Sequence, residues 1–208
     1  VAGSVPALTN GFVTFGSFQT ITKMNDATLA LWQKVLDCLP TARLRLQSHA
    51  FGYADSIANM KKRLLKASID PMRVDLLAST TWNAYMCAYS EVDIVLDTAP
   101  FPGGTTTAEA LWMGIPTVTL SCGTLVGRQG ESMLHCAGLD DWVARTATEY
   151  VRIAVKKASN LEDLANLRSE LRKRVLVSPL FNNHRFAHNL ETAFASMYME
   201  KAKKAPWH

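Results

Sequence analysis

Between positions 11 and 120, short apolar runs rich in β-branched residues alternate with longer amphipathic stretches, and this alternation is what most limits the possible folds. Residues 11–17 (GFVTFGS) read as a strand. Asn25 and Asp26 then cap a helix through Leu39, with Leu29, Trp32 and Leu36 on one face and Pro40 as its stop. Further strands are predicted over 42–47, 74–78, 92–97 and 116–120, with helices over 54–66, 82–89 and 105–113 between them. Nearly continuous apolar strands separated by helices indicate a parallel sheet buried on both faces. After Leu120 only helices are expected, over roughly 128–136, 148–157, 161–177 and 183–201. The fold class is therefore α/β: a Rossmann-like parallel sheet, core about 11–120, with a helical C-terminal part about 124–201. No linker calls for a second domain, so residues 1–208 are read as one unit.

A chain of 208 residues can bury roughly 70% of its unfolded surface without a metal or disulfide staple. The net charge is +4, and the basic clusters at 61–63, 172–174 and 201–204 read as solvated helix faces and a frayed tail. Nucleic acid is therefore not an expected partner. Cys38, Cys87, Cys122 and Cys136 form no C-x-x-C pair and read as thiols of a cytoplasmic protein. No apolar run approaches the roughly 18 residues of a membrane span, so no membrane partner is expected. The first residues lack the basic start and apolar stretch of a signal peptide, and lack an initiator Met, which suggests an excised piece of a longer protein.

In an open α/β sheet, ligands gather beyond the carboxyl ends of the strands. Three such segments carry unusual polar content. The first runs over 96–109 (LDTAPFPGGTTTAE): Gly103 and Gly104 permit close approach to the backbone, and Thr105, Thr106 and Thr107 open a helix. Helix-start amides are unpaired and carry partial positive charge, which suits a phosphate or diphosphate. Glu109 follows one turn after Thr105 and can accept from ribose hydroxyls. The plainer alternative is a capped helix with an exposed acid. The second segment, 16–23 (GSFQTITK), holds Lys23, either a phosphate-reaching lysine or one exposed before a helix cap. The third, 78–85 (ASTTWNAY), begins at Ala78 and offers Trp82 and Tyr85, which either stack on a nucleobase or pack the helix on the sheet. Of the five histidines, only His184 and His188 have metal-like spacing, and no third ligand or HExxH pattern accompanies them. No metal is therefore expected, and no GxSxG supports covalent hydrolysis.

The run LDTAPFPGGTTTAEALWMGIPTVTL over 96–120 resembles the O-GlcNAc transferase/SPINDLY glycosyltransferases, and its GGTTTAEALWMGIP block is highly specific. FGSFQTITKMND over 15–26, GRQGESMLHCAG over 127–138 and SPLFNNHRFAHNLE over 178–191 resemble the same family in the same order. The resemblance implies the C-terminal, donor-binding half of a GT-B enzyme (glycosyltransferase family 41) that works without a divalent metal. It also implies a cytoplasmic protein with an N-terminal GT-B half and tetratricopeptide repeats upstream. Lys23 matches the family lysine on the donor diphosphate, and so is the catalytic candidate. Thr105 and Thr106 match the threonines on the same diphosphate, and Glu109 falls where animal members carry a ribose-binding aspartate. Departures lie at Thr20 (a glutamine in animal members), Gly104 and Tyr85 (both histidines) and Trp82 (a lysine).

The implied activity is inverting transfer of a sugar, with UDP-GlcNAc as donor and Ser/Thr hydroxyls of intracellular proteins as acceptors. A GDP-fucose donor is the first alternative, because SPINDLY itself is similar to this chain and uses it. A nucleotide-sugar-binding pseudoenzyme and a UDP-sugar epimerase are the others. The isolated half is expected to bind donor weakly and to transfer nothing.

Overall fold

The computed structural model describes residues 4–78 and 81–204. Six strands form one sheet in the order β3-β2-β1-β4-β5-β6. They are β1 (Thr14–Ser17), β2 (Arg43–Gln47), β3 (Val74–Leu77), β4 (Ile94–Leu96), β5 (Thr117–Leu120) and β6 (Val143–Ala144). Every pairing is parallel, with Phe15 opposite Leu44 on one side of β1 and Ile94 on the other. The α/β class and doubly wound sheet are thus as expected.

Successive residues of a strand point to opposite faces. Phe15, Leu44, Leu46, Ile94, Leu96 and Val118 join the main core, which also takes Leu29, Trp32, Val35 and Leu36 of α2 (Asp26–Cys38). Asn25 caps α2 by accepting from the Thr28 amide at 2.8 Å. On the opposite face Val95 packs with Phe18, Ala88, Tyr89, Val92, Ala110 and Ile115. Gly16 is required in β1, since a Cβ there would lie 2.8 Å from Val92 Cγ1.

Three expectations are corrected. The helical C-terminal part contributes a strand after all: β6 is only two residues long, too short to read in a sequence, and extends the sheet beyond β5. A four-residue helix, α1 (Ala7–Asn10), precedes β1, which starts at Thr14 because the expected strand's first residues go into the α1 exit at Gly11 (φ 76°). The basic clusters at 61–63 and 172–174 are largely exposed, as expected of solvated faces, and also make local contacts, while the tail differs. Arg63 donates to the Asp26 carboxylate at 3.2 Å and Arg174 Nε to the Ala137 carbonyl at 2.6 Å, while Arg172 lies over the Trp112 ring. The other helices are α3 (Ala54–Lys66), α4 (Trp82–Ala88), α5 (Thr105–Trp112), α6 (Gln129–Cys136), α7 (Ala147–Ser159), α8 (Leu161–Leu176) and α9 (Asn183–Lys204). The tail expected to fray is helical through Lys204. Ser79 and Thr80 of the third polar segment, and His208, lie outside the described residues.

Candidate nucleotide site at the sheet crossover

The strand order reverses between β1 and β4, and ligands of doubly wound sheets lie outside the carboxyl ends of the strands at such a reversal. Two of the three polar segments leave the sheet there. One follows β1, and the other follows β4 and leads into α5.

Asp97 organises both. Its buried carboxylate accepts from the amides of Gly103 (2.7 Å) and Thr98 (2.9 Å), the Thr119 hydroxyl (2.9 Å) and the Gln19 side chain (3.4 Å). Burial pushes its pKa up to about 6, against the pull of these donors and of Lys23. The Gln19 amide also donates to Thr106 Oγ1 at 2.6 Å. A side chain at Gly103 would overlap Gln19 and the Thr106 and Thr107 hydroxyls, so only glycine keeps this turn closed.

Helix α5 starts at Thr105 with Gly104 as its N-cap, and no side chain caps it. The Gly104 carbonyl accepts from the amides of Thr107 and Ala108. The amides of Thr105 and Thr106 have no acceptor among the described residues. Unpaired amides at a helix start attract anions. Beside them lies an open cleft of about 420 Å³ whose walls include Thr20, Trp82, Tyr85, Thr105, Thr106 and Glu109. Six of the candidates are therefore brought together.

Lys23, Gly103, Gly104 and Ala78 do not line this cleft. Lys23 Nζ donates to the Pro102 carbonyl at 3.0 Å and lies 3.8 Å from the centre of the Phe101 ring. It thus braces the loop before Gly103 and Gly104. Burial lowers the ammonium's pKa, while the charge of Asp97 holds it up. One of its three protons is used on Pro102. Ala78 ends the β3 segment at a carbonyl that faces Gln47, a cleft residue, at 3.5 Å. Thr20 is exposed and its hydroxyl meets Thr22 at 3.0 Å, so its side chain is not committed to α5.

The two aromatic candidates differ. Trp82, 63% exposed, stacks on Tyr85 at 5.8 Å and 29°, leaving its outer face open. The Tyr85 hydroxyl donates to Glu109 Oε2 at 2.9 Å, so Tyr85 is tied into the wall. Sequence reasoning missed Gln19, Asp97 and Tyr89. For Asp97 there was a signal, a carboxylate closing an otherwise apolar run (VDIVLD). For Gln19 and Tyr89 there was none, since their roles come from residues 87 and 20 positions away. Among the described residues no three His, Cys, Asp or Glu side chains gather to hold a metal ion, and His184 and His188 lie on the exposed α9.

A parallel sheet reversing at β1/β4, with a bare helix start above the reversal, defines a Rossmann-like domain. The model of glycosyl transferase family 41 matches residues 4–190, and the chain belongs to that family. It is 42% identical over 195 residues to a Petunia hybrida protein named "Probable UDP-N-acetylglucosamine--peptide N-acetylglucosaminyltransferase SPINDLY", covering 93% of this chain and 21% of that one. The Arabidopsis thaliana protein of the same name is 40% identical over 200 residues, covering 95% of this chain and 22% of that one. The chain thus spans about a fifth of the length of these curated relatives. Among solved structures, a mutant Thermobaculum terrenum O-GlcNAc transferase superposes with a TM-score of 0.89 at 34% identity, over 99% of this chain and 39% of that one. The fold is accordingly that of one half of a GT-B glycosyltransferase. Anabaena HepE in complex with UDP and glucose shares the fold alone, with a TM-score of 0.60 at 17% identity over 89% of this chain and 51% of that one. Among the described residues no helix is long and apolar enough to cross a membrane.

Proposed function

We propose that the chain is the donor-binding half of a protein O-glycosyltransferase that takes N-acetylglucosamine from UDP and passes it, with inversion, to Ser or Thr hydroxyls. The observation that carries this reading is the pair of unpaired α5 amides, at Thr105 and Thr106, opening beside the cleft at the β1/β4 reversal. The names of the SPINDLY relatives support UDP-N-acetylglucosamine and a peptide acceptor, and that of the Thermobaculum enzyme supports transfer of O-linked N-acetylglucosamine.

In the proposed reaction the acceptor oxygen attacks the anomeric carbon from the face opposite the nucleotide. The bond from that carbon to the β-phosphate oxygen breaks, and its electrons stay on UDP. The acceptor proton leaves to a base, and the other GT-B half, beyond this chain, supplies the groups that orient the acceptor. This chain's task is the charge growing on the β-phosphate. The Thr105 and Thr106 amides, the Thr106 hydroxyl and the two remaining Lys23 protons are donors fixed before the reaction starts, which is where such electrostatic catalysis gains most. They are offered as a substitute for a divalent cation. Tetratricopeptide repeats upstream and a cytoplasmic location belong to the same reading.

Calorimetric titration of the chain with UDP, GDP, UMP and uridine, followed by a crystal soaked with the tightest ligand, tests it. UDP is expected to bind best, with its diphosphate at the start of α5. Absence of binding by either diphosphate, or density only elsewhere, such as the His184/His188 face, overturns the reading. Tighter binding of GDP than of UDP replaces the N-acetylglucosamine donor with a GDP-sugar.

A further inference from the structure

Glu109 sits on the first turn and a half of α5, and only one of its carboxylate oxygens is committed. Oε2 accepts from the Tyr85 hydroxyl at 2.9 Å and from the Tyr89 hydroxyl at 3.2 Å. The two hydroxyls lie 3.1 Å apart, and that of Tyr89 also reaches the Thr106 carbonyl at 3.2 Å. Oε1 has no partner among the described residues, and Glu109 lines the cleft. The tyrosines are themselves held. The Tyr89 ring stacks on Phe18 at 3.8 Å and meets Tyr85 edge-on, and Tyr85 carries Trp82 on its outer side. Burial pushes both phenol pKa values well up, so both remain donors at neutral pH.

We infer that Tyr85 and Tyr89 are positioning residues that lock Glu109 in one rotamer, presenting Oε1 to the vicinal hydroxyls of the donor's ribose and making the site selective for ribonucleotides over deoxyribonucleotides. A free glutamate on a helix surface samples several rotamers and loses that freedom on binding. Two phenols donating to one oxygen remove the loss beforehand, and they orient the lone pairs of the other oxygen outward. Tyr85 thereby serves the sugar of the nucleotide, whereas the sequence placed it at the base. This inference rests on the proposed function, because it takes the cleft to hold a nucleoside diphosphate.

The test measures the dissociation constants of UDP and 2′-deoxy-UDP, and of GDP and 2′-deoxy-GDP, for the unaltered chain and for Glu109→Gln, Tyr85→Phe, Tyr89→Phe and the double Phe variant. Phenylalanine keeps the stacked rings, and inorganic pyrophosphate reports on the α5 end alone. The unaltered chain is expected to prefer the ribonucleotide about tenfold, the scale of one hydrogen bond to a charged group. Glu109→Gln should bring the ratio near one. The double Phe variant should lower it at least threefold, with pyrophosphate affinity unchanged. A double variant that keeps the full ratio while Glu109→Gln loses it overturns the positioning role. A ratio near one in the unaltered chain, with the diphosphates still bound, overturns the role of Glu109 and leaves the proposed function standing. Failure of both diphosphates to bind removes the proposed function, and this inference with it.

Discussion

The side-chain amide of Gln19 donates to the Thr106 hydroxyl at 2.6 Å, joining the segment after β1 to the first turn of α5. Gln19 is 4% exposed and sits on the Asp97 carboxylate as well, so it holds the two sides of the crossover at a fixed spacing. Gln19→Ala is expected to destabilise the chain by about 1–3 kcal/mol, the cost of leaving buried polar groups unpaired. UDP affinity should fall as the two segments part. Urea unfolding and calorimetry on one variant give both numbers, and an unaltered UDP affinity would make the contact purely structural.

Lys23→Ala should weaken UDP binding roughly 10- to 100-fold and leave uridine binding unchanged. A hydrogen bond to a charged group is worth about 1.5–3 kcal/mol, at about 1.4 kcal/mol per decade. The lysine also braces Pro102, so the comparison of ligands decides between its roles. Equal losses for UDP and uridine would mean that it only shapes the loop.

Gly103→Ala should abolish most diphosphate binding, because the added methyl would displace Gln19, Thr106 and Thr107 together. Gly104→Ala meets only the end of the Gln129 side chain, at 2.7 Å, which can swing aside. Its effect on UDP affinity should be several-fold smaller. A reversed order in titrations of the two variants would mean that the turn tolerates a side chain where the packing says it does not.

Asp97 predicts the sign of a pH effect. Its folded pKa, about 6, lies above the ordinary carboxylate value, so the native state binds the extra proton. Its contribution to stability is full below about pH 4 and is lost as the pH rises through 6, by up to roughly 3 kcal/mol for a two-unit shift. Asp97→Asn lowers stability overall, since its amide turns a donor toward other donors, but it removes this slope. Unfolding free energies from pH 4 to pH 7.5, taken as unaltered chain minus variant, should fall with pH. A flat difference would place the Asp97 proton elsewhere.

Arg168 lies fully buried in α8 and donates to the carbonyls of Val92 at 2.6 Å and Asp93 at 3.1 Å. Asp93, also buried, accepts from the amides of Ala7 and Thr14. Arg168→Met leaves the buried carbonyls of Val92 and Asp93 without these donors and removes a positive charge near Asp93, and should cost about 1–3 kcal/mol, the penalty of unpaired buried polar groups. Thermal unfolding measures it, and a loss under 1 kcal/mol would show that Asp93 is satisfied by its backbone donors alone.

Much of this arrangement was legible in the chain because it is local. The apolar runs around Phe15, Leu44, Ile94 and Val118 announced a two-faced parallel sheet, and Gly103, Gly104 and the threonines announced a bare helix start. Spacing offered Lys23 and Glu109 as one of two readings each, and family resemblance favoured the functional one. What stayed hidden depends on the tertiary fold. The two-residue strand β6 has no periodicity to detect, and Tyr89 looks like any aromatic residue at a helix end. Gln19 acquires a role only when a residue 87 positions later is brought beside it.

Because β1 pairs directly with β4, the segment after β1 and the start of α5 meet in the cleft although the whole β2–α3–β3 excursion separates them in the chain. Ligand affinity in this chain is therefore also a gauge of long-range assembly. An intermediate with every helix formed but β4 not yet docked has Lys23 and the Thr105 turn, yet no place for a diphosphate. Adding nucleotide during refolding should leave the early phases untouched and act only on the step that brings the middle of the sheet together.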